Sequence, residues 1–248
     1  IHITSLIPDG TEPHDFQPTT KTMQALSKAD ILIYNSTGME RWVEQATQAA
    51  ANPKLVIVEA AKGTDRISLT EADEIRAHGQ YDPHTWLSLS CAQTEVKNIA
   101  EALAAADKAN ADFYRKNAAE YNKKLQALLA AYQKKFSKLE QKDFITGHAA
   151  FAYLCRDFGL QQQSIEDVFA SGEPSAQNLA KLTAYCKEHN VKTIFVEEAV
   201  SPKTSETLAR EVGATTQEIY TIESSNGEKT YLTRMEENLD AIYKSLKK

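Results

Sequence analysis

The chain has 248 residues, 42% hydrophobic and 25% charged, with a formal net charge of -6. That composition is ordinary for a globular protein and the length suits one large domain or two lobes, while the acidic balance excludes nucleic acid as the main partner, because phosphate binding needs a basic face. Three scattered cysteines, Cys91, Cys155 and Cys186, give neither a disulfide framework nor a metal knuckle, and no apolar run reaches the roughly 18 residues of a membrane span.

In chain order, residues 3–7 read as a strand, 20–29 as a short helix and 31–34 as the next strand. Residues 40–51 are helical, with Trp42 and Val43 on one side, and 54–59 (KLVIVE) form a short buried strand. Residues 71–83 look like a loop. From Trp86 to about Ala105 the pattern is helical, and from about Asp107 to Leu139 it stays helical with neither Gly nor Pro. A helix of roughly 30 residues would span about 45 Å and act as a rigid strut between two lobes. Strand and helix then alternate again: strand 144–146, helix 149–158, a helix capped by Ser175 and running to about Glu188, strand 191–196, helix 203–212 stopped by Gly213, strand 218–222, and a last helix over 232–247. Alternation of this kind predicts an α/β fold built from βα units with mainly parallel sheets.

Three of the six histidines stand at junctions between elements. His14 lies in GTEPHDF after the first strand, His84 in YDPHTW before a helix, and His148 in TGHAAF where a strand passes into a helix. Proline fixes its own φ and restricts the residue before it, so a Pro-His pair limits how far the imidazole wanders and lowers the entropy lost on binding a metal. Open α/β sheets bind ligands where strand ends meet loops. Each histidine alone is more commonly a surface or hydrogen-bonded residue, and spacing alone leaves a shared metal site open. Other chemistries find no motif: HExxH, GxSxG, a P-loop and GxGxxG are all missing, and Cys155 sits inside an apolar helix.

Seven ordered segments carry a resemblance: LIPDGTEPHDFQPT, ADILIYNSTGMERWVE, YDPHTWLS, GHAAFAYLCRDFGL, EPSAQNLAKL, VKTIFVEEAVSPKTSETLA and IYTIES. Over essentially its whole length the chain resembles the metal-binding solute-binding proteins of zinc and manganese ABC importers, and within them the zinc-specific, ZnuA- and AdcA-like branch. The resemblance implies two (β/α) lobes joined by one long helix, with an N-terminal lobe over 1–106, the linking helix over 107–139 and a C-terminal lobe over 140–248, and a metal in the cleft between the lobes. It places the ligands on His14, His84, His148 and Glu223. In the manganese branch the third position tends to be a carboxylate. Three imidazoles and one carboxylate suit Zn²⁺ better than Mn²⁺, which favours oxygen donors. The implied protein is no enzyme. It is an extracytoplasmic carrier, periplasmic or lipid-anchored at the outer face of the membrane, expected to be a monomer that delivers Zn²⁺ to an ABC permease.

Departures from the family pattern sharpen the expectations. Members normally start with a further strand and helix, so the chain reads as a fragment, with any lipid-anchoring cysteine lost. The stretch before YDPHTW holds His78 alone and reads as structural, not as a metal collector. Glu197 and Glu198, with Asp15 and Asp82 as weaker candidates, could hydrogen-bond a ligand histidine from outside the metal shell. Two competing functions use the same residues: a metallohydrolase, if water takes the fourth position on a three-histidine zinc, and a surface adhesin in which the metal is structural.

Overall fold

A computed structural model describes the chain apart from residues 12, 37, 171–174, 199–200, 225–228 and 248. It divides into two compact units, Ile1–Ala127 and Leu128–Lys248.

The first unit holds α1 (Thr20–Leu26), β1 (Ile31–Tyr34), α2 (Val43–Ala50), β2 (Val56–Glu59), α3 (Ala72–His78) and α4 (Leu89–Ala106). β1 and β2 pair in parallel, Ile31 against Val56 through Tyr34 against Glu59. One sheet face packs Leu32 onto Leu26, Val43 and Ala46. Ile33, Val56 and Ile57 stand between 40% and 48% exposed, so β2 is not the buried strand its apolar run predicts. Residues 3–7 (ITSLI) form no strand among the described residues, and Ile3 stands exposed. The stretch expected to be a loop contains α3, with Asp73 and Glu74 in its first turn, Arg76 in its last and Gly79 at its C-cap with φ of 99°, charges placed as the helix dipole favours.

The long helix breaks earlier than its pattern suggests. Asp107 leaves helical geometry, a 3₁₀ turn follows over Lys108–Asn110, and α5 runs Ala111–Phe136. The Asp107 carboxylate accepts hydrogen bonds from Asn110 Nδ2 and Tyr114 Oη, which secure the corner. Twenty-six residues give about 39 Å of helix, and the boundary between the two units falls within it.

The second unit adds β3 (Asp143–Thr146), α6 (Ala152–Phe158), β4 (Gln161–Ser164), α7 (Ala176–Glu188), β5 (Thr193–Glu197), α8 (Lys203–Val212), β6 (Thr215–Ile219) and α9 (Tyr231–Leu246). Its sheet is parallel with order β4-β3-β5-β6. Both faces are covered, as all-parallel sheets require. Ile145 and Ile194 point into a core with Leu182, Cys186 and Leu208. Their neighbours Phe144 and Phe195 point the other way into an aromatic cluster with Phe151. The order reverses direction between β3 and β5, and in such sheets the crevice at the carboxyl ends of the two diverging strands is where ligands bind.

Candidate metal centre

In the first unit, β1 ends at Tyr34 and hands over to Asn35 and Ser36, whose backbone N–H groups both donate to the Glu40 carboxylate at 3.1 Å. Asn35 Nδ2 donates to the Pro83 carbonyl at 2.7 Å, which ties the YDPHTW segment to the end of β1. Thr85 Oγ lies 3.1 Å from Asn35 Oδ1 and 2.6 Å from Glu95 Oε1. A hydroxyl has one proton and cannot donate to both. Burial pushes Glu95 up to about 7, and a protonated Glu95 resolves the conflict by donating to Thr85 while Thr85 donates to Asn35.

This framework holds His84, fully buried. Asp82 Oδ1 is 2.9 Å from both the backbone N and the ring Nδ1 of His84. The carboxylate accepts a hydrogen bond from Nδ1–H and so fixes the tautomer, leaving the Nε2 lone pair to face outward. His14, on a 3₁₀ turn over Pro13–Asp15, brings its Nε2 to 3.3 Å from His84 Nε2. Two donors about 2.0–2.1 Å from a tetrahedral zinc are themselves about 3.3–3.4 Å apart. The imidazole pair therefore already has the spacing of two ligands on one zinc ion.

In the second unit, His148 follows β3 by two residues and Glu197 ends β5, so both lie at the switch-point crevice. Glu197 Oε1 accepts the His148 backbone N–H at 3.0 Å, while the ring Nδ1 stands 3.7 Å off, beyond hydrogen-bond reach. Gly147 is required here: a Cβ on it would sit 2.1 Å from Glu197 Oε2. Glu223 Oε1 is 3.9 Å from His148 Nε2, and both side chains are about 3% exposed. Glu223 lies beyond the strand that was expected to end beside it, because β6 stops at Ile219. Burial pushes Glu197 up to about 8, with the nearby Glu223 adding to the rise. Two carboxylates buried together in this way favour a cation between or beside them.

Each unit thus brings together two of the four expected donors, His14 with His84 and His148 with Glu223. Asp82 carries the stronger ring contact, and Glu197 grips backbone; the side chain of Asp15 lies outside the described residues. Asn35, Glu40 and Glu95 escape sequence reasoning, because only the folded chain sets them behind His84. The three cysteines are buried and in no disulfide among the described residues. Burial pushes the Cys155 thiol far up, so it is no nucleophile.

Residues 1–245 match the family profile described as the periplasmic component A of a zinc-uptake complex. The chain belongs to this family. It is 43% identical to the high-affinity zinc uptake system protein ZnuA of Bacillus subtilis over 254 residues, covering 97% of this chain and 79% of the relative. Among solved structures, a mutant of the laminin-binding adhesin Lmb of Streptococcus agalactiae superimposes with a TM-score of 0.89 at 34% identity, over 97% of this chain and 90% of that one. The Zn(II)-bound form of an AdcAII variant of Streptococcus pneumoniae gives 0.86 at 33% identity, over 96% and 87%. The family is that of a zinc-uptake component, and this chain's parallel sheets give the α/β fold that its sequence segments imply. Among the described residues no helix is long and apolar enough to cross a membrane.

Proposed function

We propose that the chain captures one Zn²⁺ ion outside the cytoplasm with His14, His84, His148 and Glu223, and surrenders it to an ABC permease. The observation that carries the reading is the His14–His84 pair, at tetrahedral ligand spacing with the His84 tautomer set by Asp82. Family membership supplies the cargo and the uptake complex. The two lobes, 1–106 and 140–248, contribute two donors each, and residues 107–139 join them.

The chemistry follows from protons. With His84 protonated on Nδ1, the close approach of the two Nε2 atoms in the metal-free protein is an N–H···N bond in which His14 donates. Zinc would take the place of that hydrogen, with the His14 proton passing to its own Nδ1 so that both rings bind as neutral imidazoles. Glu223 contributes charge and the fourth donor. A shell of three imidazoles and one carboxylate is closed, leaving no position for an activated water, so the protein carries zinc and does not hydrolyse. The same nitrogen-rich shell disfavours manganese, which prefers oxygen donors.

Zinc competes with protons for neutral imidazoles, whose ordinary pKa is about 6.5. Titration with Zn²⁺ should give one site per chain at pH 7.5 and a steep loss of affinity at pH 5. Two sites of equal strength, or equal affinity at both pH values, would refute a single three-histidine shell.

A further inference from the structure

The segment that carries Glu223, residues 220–224, is held at several points by the rest of its own unit. Asn238, buried on α9, accepts the Tyr220 N–H at 2.8 Å and donates to the Tyr220 carbonyl at 2.7 Å, replacing a strand partner where β6 has ended. Arg234, one turn earlier on α9 and also buried, donates to the Ser224 carbonyl at 2.6 Å. Between these anchors stands Ile222, with φ of +59°. That left-handed conformation is costly for a β-branched residue and persists only where its surroundings impose it. The imposing group is Glu198. Its Oε2 accepts the Thr221 N–H at 2.8 Å and its Oε1 the Ile222 N–H at 3.1 Å. Both oxygens of one carboxylate are spent on two consecutive N–H groups immediately before Glu223.

We infer that Glu198 is a positioning residue for zinc capture: it clamps the backbone of Thr221 and Ile222 in the turn that aims Glu223 at His148. Glu197 and Glu198 leave the end of β5 with divided tasks, the first gripping the backbone N–H of His148, the second the turn before Glu223. One strand end thereby fixes both donors of this unit. The turn is set before any ion arrives, so Glu223 loses little freedom on binding. Glu198 itself touches no metal. The inference rests on the assignment of Glu223 as a ligand, and its test separates the two.

Zinc affinity is measured by competition with a chromophoric chelator for the parent, Glu198→Ala, Glu198→Gln, Glu223→Ala and the Glu198→Ala/Glu223→Ala double variant. Glu198→Ala should weaken binding about 10- to 100-fold, the range for groups that orient metal ligands. Glu198→Gln keeps one acceptor oxygen and should fall between it and the parent, and it serves if the alanine variant folds poorly. Glu223→Ala should lose more, and the double variant should bind no worse than Glu223→Ala alone, because Glu198 acts only through Glu223. Co²⁺ loaded into Glu198→Ala should show a visible d–d spectrum shifted toward that of Glu223→Ala, which a merely structural loss would not produce. Additive losses in the double variant, with Glu223→Ala impaired, would overturn the positioning role and leave the ligand assignment standing. A Glu223→Ala protein that binds zinc like the parent would sink both.

Discussion

The two units hold their expected metal-binding histidines by different means. In the first, His84 is fixed through its ring: Asp82 accepts the Nδ1–H, and a layer of Asn35 with the buried Thr85 and Glu95 stands behind the loop. In the second, His148 is fixed through its backbone: Glu197 accepts its N–H and the ring lies beyond the carboxylate's hydrogen-bond reach. The first arrangement chooses a tautomer and raises ligand basicity. The second positions the chain at His148 and sets a buried carboxyl beside the expected donors. The spacing of the donors differs to match. The His14–His84 pair already stands 3.3 Å apart, whereas His148 and Glu223 are at 3.9 Å and must draw together by about half an ångström to share a zinc.

The strongest way to break the comparison is to remove a ring from either side. His84→Ala and His148→Ala should each lower zinc affinity by more than the roughly 100-fold upper range for outer-sphere groups, as read by chelator competition. If one of them binds like the parent, that unit supplies no ligand through this histidine. Next come the supporting carboxylates. Asp82→Ala should cost about 10- to 100-fold in affinity with little change in folding, and Asp82→Asn, which keeps an acceptor for the Nδ1 proton, should recover part of it. Equal affinity in Asp82→Ala and the parent would show that ring orientation is not limiting.

Backbone clamping predicts a stability effect in its place. Gly147→Ala drives a methyl against the Glu197 carboxylate, which buried packing cannot absorb, and should destabilise the metal-free protein by about 1–3 kcal/mol in urea unfolding. Gly38→Ala in the first unit meets nothing nearer than 3.5 Å and should be tolerated. Equal effects at the two glycines would erase the proposed contrast.

The smallest effect concerns protons in the first unit. Glu95 is held protonated up to about 7, above the ordinary carboxylate value of 4.5. Between those values the folded state binds the extra proton, so its contribution is full below about pH 4.5 and is lost as pH rises through 7. Glu95→Gln, whose amide can donate to Thr85 as the acid does, should flatten the pH dependence of metal-free stability by about 1–2 kcal/mol between pH 5 and 7. An unchanged slope would remove Glu95 from this role.

Much of this was legible in residues alone, and what was not has physical reasons. β1 and α8 fall where apolar runs and the stop at Gly213 place them. β4 (QQQS) carries no apolar alternation, since its strand character comes from pairing with β3. β6 (TTQEI) begins three residues before its predicted start for the same reason, and Glu223 consequently belongs to a clamped turn and not to a strand end. The expected donors His14, His84 and His148 stood out in the sequence through Pro-His pairs and a Gly-His junction. Asp82 was within sight as a neighbour of His84. Glu198 was a candidate partner for a histidine, yet it holds Thr221 and Ile222, because what a carboxylate at a strand end grips depends on which loop the sheet order brings beside it.

The central claim is that one zinc ion collects three imidazoles and one carboxylate from this chain. Zinc-edge X-ray absorption of the loaded protein, beside the Glu223→Gln variant, tests it most directly. The account predicts a four-coordinate shell of three nitrogen rings and one oxygen in the parent, with the carboxylate oxygen disturbed in the variant while the three rings remain. A shell with fewer than three imidazoles, or one containing sulfur, would contradict it.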